Sequence, residues 1–195
     1  GDDFAYISES RDADTTFANL LAPHNTHIVP LFRLWTYGLI ALSGDLERMQ
    51  AVFGAASYVG LIAAMAAVGT FVKQETSRSG LALAAMTGLG VSTVVMPAVT
   101  WYSAGQALWA GTAIVLTLLS TRSWSIKGGG GRFALIILGL LAAPMIWTGG
   151  HVAGLAGAAY LSASNRPRAR RGAVALVLVT ALAILLELIL VRREL

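Results

Sequence analysis

Five stretches of this 195-residue chain, residues 49–72, 81–99, 105–120, 133–148 and 173–191, run without a charged side chain apart from Glu187. A helix crossing the hydrocarbon of a bilayer needs about 20 mainly apolar residues, because every backbone N–H and C=O must be bonded within the segment. Five such stretches in one chain point to an all-α fold, a polytopic transmembrane helix bundle. The composition agrees: 56% of residues are hydrophobic, 12% are charged and the mean hydropathy is +0.68, figures outside the soluble range.

A sixth apolar run, residues 152–164, is short and rich in Gly and Ala. Charge decides whether it is a separate crossing, since cytoplasmic loops carry the Lys/Arg excess. With a turn at Gly149, Gly150 and His151, three clusters fall on one side: Lys73 and Arg78; Arg122, Lys127 and Arg132; and Arg166, Arg168, Arg170 and Arg171. These are nine of the fourteen basic residues. A single kinked helix over residues 133–164 would put the densest cluster on the other face. About six spanning helices are therefore expected, in a multi-pass protein of the bacterial cytoplasmic membrane with residues 1–27 on the outer face.

Residues 28–42 are too short for a comfortable span, begin near Pro30 and carry Arg33 near their middle. A charge at the bilayer centre costs about 2.5 to 3.5 kcal/mol, so this run is expected to be an interfacial helix with Arg33 snorkelling to the headgroups. The chain divides into an outer loop, 1–47, and a transmembrane bundle, 48–195. It opens on Gly1 in a polar stretch and closes on Arg192-Arg193-Glu194-Leu195, so it is expected to be a fragment of a longer chain with at least one span upstream.

Several classes drop out. The net charge of +4 is spread in short clusters between apolar runs, a topology signal and not a nucleic-acid surface. Without cysteine there is no thiolate nucleophile, disulfide or thiolate-ligated metal. The run Gly128 to Gly131 lacks the Lys-Ser/Thr of a phosphate loop and reads as a connection. Gly150 and Gly154, Ala153 and Gly157, and Gly88 and Gly90 have the spacing that lets helices approach closely in lipid.

The expected topology gathers the residues capable of chemistry on the outer face. These are Asp2, Asp3, Glu9, Asp12, Asp14, His24, Asn25, His27 and Arg33 from the first loop, Trp101, Tyr102 and Gln106 from the second turn, and Trp147, Thr148 and His151 from the third. A carboxylate there can take a proton from an attacking hydroxyl or hold a divalent cation, Mg or Mn, against a phosphate. Asp2 or Asp3 fits either role. His24 and His27, three apart, would share a helix face as metal ligands do, with Asp3 as a third donor. Arg33 can neutralise a phosphate, and Trp101, Tyr102 and Trp147 suit the headgroup belt or a sugar ring. Glu187 is the one acid deep in an apolar run, a functional candidate by that fact, although the nearby helix end and Arg192 offer it a structural role.

Three segments together resemble a family. The sequence Asp2-Asp3-Phe4-Ala5-Tyr6-Ile7, then Leu21-Ala22-Pro23-His24-Asn25-Thr26-His27-Ile28-Val29-Pro30-Leu31-Phe32-Arg33-Leu34, then Pro97-Ala98-Val99-Thr100-Trp101-Tyr102-Ser103 looks like the N-terminal half of GT-C type polytopic glycosyltransferases. The resemblance covers residues 1–110. It implies transfer of a sugar from a polyprenyl-phosphate carrier to an acceptor on the non-cytoplasmic side, by an inverting displacement. Asp2 and Asp3 would then supply the general base or a metal-associated residue, and His24, His27, Arg33, Trp101, Tyr102 and His151 would bind substrate. The partners implied are the lipid-linked sugar donor and membrane lipid, with no nucleic acid. A transporter or flippase is the chief rival, followed by a non-catalytic membrane subunit that uses the outer loop for docking. The nearly uncharged spans favour chemistry at the surface over passage.

Overall fold

A computed structural model of the chain describes residues 2–24, 27–93, 95–164, 166 and 168–194, without the side chains of Asp2, Arg193 and Glu194. The described residues form ten α-helices: α1 (Asp2–Glu9), α2 (Ala13–Ala18), α3 (Pro30–Ser43), α4 (Leu46–Thr76), α5 (Ser79–Gly90), α6 (Met96–Thr100), α7 (Gln106–Lys127), α8 (Gly130–Ile146), α9 (Val152–Ser162) and α10 (Ala169–Glu194). Single 3-10 turns, Ser103–Gly105 and Thr148–His151, precede α7 and α9. Two starts are set by aspartates: Asp12 accepts the Thr15 N–H at 2.7 Å and Asp45 the Arg48 N–H at 2.8 Å, each satisfying a donor that the first turn leaves open. The backbone bond from Thr15 holds the Asp12 carboxyl below the usual carboxylate range.

Three segments are long and apolar enough to cross a membrane: Leu46–Thr76, Ser103–Lys127 and Ala169–Arg192. Helices α5 and α8 are apolar but shorter, and α9 has 11 residues, so among the described residues three helices reach spanning length where about six spans were expected. The run 81–99 is not one helix. α5 stops at Gly90, and Pro97 sits in the first turn of α6. Gly88 and Gly90 weaken the helix, the β-branched Val91, Thr93 and Val95 do not extend it, and proline is suited to a fresh helix start.

The helix ends sort by polar contacts. At one end Arg122 bonds Glu75 at 2.5 Å and the Gln74 carbonyl at 2.8 Å, the Tyr160 hydroxyl donates to Glu75 at 2.9 Å, and Arg166 donates to Ser125 at 2.5 Å. This joins the far ends of α4, α7 and α9 and the chain after α9. Gly128 and Gly129 have positive φ of 68° and 97° and turn α7 into α8 at that same end, where a side chain on Gly128 would meet Arg168. Helix α8 therefore leaves this end and α9 returns to it, which makes Thr148–His151 a true reversal. The three basic clusters lie together.

Close packing of α9 on α10 explains the glycines. A Cβ on Gly154 would meet Thr180, and one on Gly157 would meet Leu176. Gly88 has open space around it and takes no part in packing. At Gly150 a Cβ would run into the Ala143 carbonyl and the Pro144 nitrogen, and backbone cannot yield as a side chain can. Gly150→Ala is expected to destabilise the protein by about 3 kcal/mol, while Gly88→Ala leaves stability unchanged or slightly raised; thermal unfolding of the detergent-solubilised protein checks both.

Candidate functional site at the end opposite the basic clusters

The first 47 residues are packed onto the bundle. α3 buries Phe32, Arg33, Thr36, Leu39 and Ser43 along one side, a helical stripe. A core of Tyr6, Val29, Phe32, Leu39, Phe53, Ala56 and Tyr102 ties α1 and α3 to α4 and to the chain after α6. Within it Tyr102 stacks on Phe32 and Phe53, with ring centroids 5.3 and 4.2 Å apart, and shares a 2.8 Å hydrogen bond with the Thr36 hydroxyl. Burial pushes the Tyr102 phenol above its ordinary pKa.

Asp3, in the first turn of α1, accepts the Ser103 backbone N–H through Oδ1 at 2.7 Å. One carboxylate of the acidic pair is thus fixed to the Ser103–Gly105 turn, a hundred residues away in sequence. The Asp2 side chain lies outside the described residues.

Arg33 is fully buried, and the snorkelling expected for it does not occur. Its Nε and Nη2 donate to Glu9 Oε2 at 3.1 and 2.7 Å, and Nη1 donates to the Ala22 carbonyl at 2.6 Å. A guanidinium in that position would be costly unpaired; Glu9 supplies the countercharge, and two N–H groups converging on one carboxylate oxygen hold α1 and α3 together. His24 joins the same knot: Nδ1 lies 4.0 Å from Glu9 Oε1, and its ring is 4.5 Å from Tyr6.

His24 and His27 exchange backbone hydrogen bonds of 2.8 and 2.9 Å. They are therefore not the helix-face pair that their spacing allows. Asn25 and Thr26, between them, lie outside the described residues. His24 turns into the Glu9 knot, whereas His27 lines a cavity of about 360 Å³ with Thr148, His151 and Glu187. Among the described residues no three His, Asp or Glu side chains converge on a common metal position. Asp3, His24 and His27 are separately engaged, and two imidazoles suit Mg poorly, since Mg takes oxygen ligands.

His151 Nε2 lies 2.5 Å from Glu187 Oε2, and the Thr148 hydroxyl donates to Glu187 Oε1 at 3.3 Å. Glu187 is thus paired with the Thr148–His151 turn. Neither α10 nor that turn announces this partnership in sequence, and neither does Glu9 announce Arg33, because both pairs are non-local. Trp101 is 55% exposed and Trp147 40%, so both can meet a ligand or a headgroup. Tyr102 and Arg33, expected at a substrate, are instead engaged within the fold.

Compared with protein-family models, with curated proteins and with solved structures, the chain matches none.

Proposed function

We propose that this chain is the membrane part of a glycosyltransferase that moves a sugar from a polyprenyl-phosphate carrier to an acceptor hydroxyl at the outer face. The observation that carries the reading is the Asp3 to Ser103 bond. Together with the Glu9, His24 and Arg33 knot, it brings the acidic pair, the His-containing loop and the 97–103 segment to one end of the bundle, opposite the basic clusters. Those are the three segments on which the resemblance rests.

In this reading Asp3 is the anchored member and Asp2 the base. The Ser103 N–H occupies Asp3 Oδ1, which leaves the base role to its neighbour. The base takes the proton of the acceptor hydroxyl as its oxygen attacks the anomeric carbon, and the bond to the carrier phosphate breaks with its electrons leaving on polyprenyl phosphate. Inversion at that carbon follows. Six crossings, with α5, α8 and α9 as short spans, put this end outside.

Topology is tested directly, because the chain has no cysteine. Single cysteines at Ser8, Ser77 and Ser164 are expected to react with an impermeant thiol reagent only at Ser8; reaction at Ser77 or Ser164 from outside would reverse the orientation. Activity is tested by reconstituting the full-length protein with a radiolabelled polyprenyl-phosphate sugar and following release of free polyprenyl phosphate. The His151–Glu187 pair is the one observation that favours a transporter instead. A transporter would leave the carrier linkage intact, so the same product analysis separates the two readings.

A further inference from the structure

Glu187 stands about two turns before the end of α10, in a helix whose Leu182, Leu185, Leu186, Leu188 and Ile189 are exposed. A carboxylate at that level is retained only where something compensates it. Here His151 and Thr148 do so, and the His151 and Glu187 side chains are only 14% and 16% exposed. The pair also forms the common wall of two adjoining cavities. One, of about 360 Å³, is edged by His27 and Thr148 and completed by the aliphatic Ile184, Leu188 and Val191. The other, of about 270 Å³, is lined by Leu141, Pro144, Met145, Leu186 and Leu190 and is otherwise apolar, apart from the shared His151 and Glu187. Both reach α10, whose apolar surface faces outward.

Two mainly apolar cavities, one with His27, Thr148, His151 and Glu187 gathered along its wall, on the outward side of a spanning helix, match an amphiphile lying in the bilayer with its polar head at those four residues. The two together are of the size that holds a small headgroup and the start of one chain. Charge narrows the class. An imidazole and a carboxylate both hydrogen-bond to hydroxyls, whereas the carboxylate repels an approaching phosphate. We propose that the His151–Glu187 pair is a binding site for a neutral, hydroxyl-rich membrane lipid. The sugar-type head occupies the His27 compartment and the first chain carbons lie against Met145 and Leu186. The site discriminates against anionic phospholipid heads. This concerns binding alone and stands whether or not the protein transfers sugars.

The test uses the full-length protein in phosphatidylcholine nanodiscs carrying a photoactivatable monoglucosyl diacylglycerol or, separately, a phosphatidylglycerol with the same photoactivatable chain. Labelled peptides are read by mass spectrometry. The glucosyl lipid is expected to label residues 183–190 at low mole fraction, and phosphatidylglycerol to label them weakly. Glu187→Leu keeps the volume and removes the polar partner, so half-saturation should move up about tenfold, as for loss of a hydrogen bond to a charged group. Met145→Trp fills the apolar compartment, leaves the pair intact and should reduce labelling as well. Glu187→Gln removes the repelling charge and should let phosphatidylglycerol in. Each variant is taken forward only as a monodisperse species with unchanged helicity. Equal labelling of the native protein by the two lipids, or labelling that neither Glu187→Leu nor Met145→Trp lowers, would overturn the proposal.

Discussion

Asp2→Asn is expected to lower sugar transfer by about 10²- to 10⁴-fold, the contribution of a positioned general base, with protein abundance and helicity unchanged. The adjacent position behaves differently. Asp3→Asn keeps a carbonyl oxygen where Oδ1 accepts the Ser103 N–H, so the anchor survives and transfer falls only about tenfold through the weaker, uncharged bond. Asp3→Ala removes the anchor and should fall further than Asp3→Asn. That ordering distinguishes a fixed neighbour from a base, because a base at Asp3 would lose as much on replacement by Asn as by Ala. Rates are measured on the reconstituted full-length protein.

A stability effect as large as that at Gly150 is expected at Glu9. Glu9→Ala leaves Arg33, fully buried, with the Ala22 carbonyl as its one remaining hydrogen-bond partner among the described residues. Breaking a buried ion pair by removing one member costs about 3 to 5 kcal/mol. Glu9 is 27% exposed, so water offsets part of the loss and the lower end, about 3 kcal/mol, is expected. The double variant Glu9→Gln with Arg33→Met removes both charges and should recover most of that loss, since replacing a buried pair by apolar groups of similar size is often neutral. Thermal unfolding of the two variants side by side checks it. A single variant as stable as the native protein would mean that the Arg33 charge reaches water.

How legible this was in sequence depends on whether the signal was local. The helical class, the reversal at Gly149 to His151 and the grouping of the basic clusters could be read from apolar run length and from charge spacing. The run 81–99 could not. Average hydropathy carries it across Gly88, Gly90 and Pro97, but local backbone preference ends α5 at Gly90. Arg33 misled for a different reason. Its cost in an apolar run was legible, yet Glu9, the partner that removes that cost, lies in another helix and nothing local marks it. His24 and His27 had helical spacing, but their backbones pair with each other as a bridge. Of the site, the acidic pair and His151 were visible as residue types. The anchoring of Asp3 by a backbone N–H at Ser103, and the pairing of Glu187 with His151, depend on tertiary contacts that no local pattern encodes.

The most direct measurement compares lipid-linked sugars in cells that make the full-length native protein with those in cells that make Asp2→Asn at matched abundance. Build-up of one polyprenyl-phosphate sugar in the variant is the predicted result and would also name the donor. Identical lipid pools in the two would contradict sugar transfer by this protein.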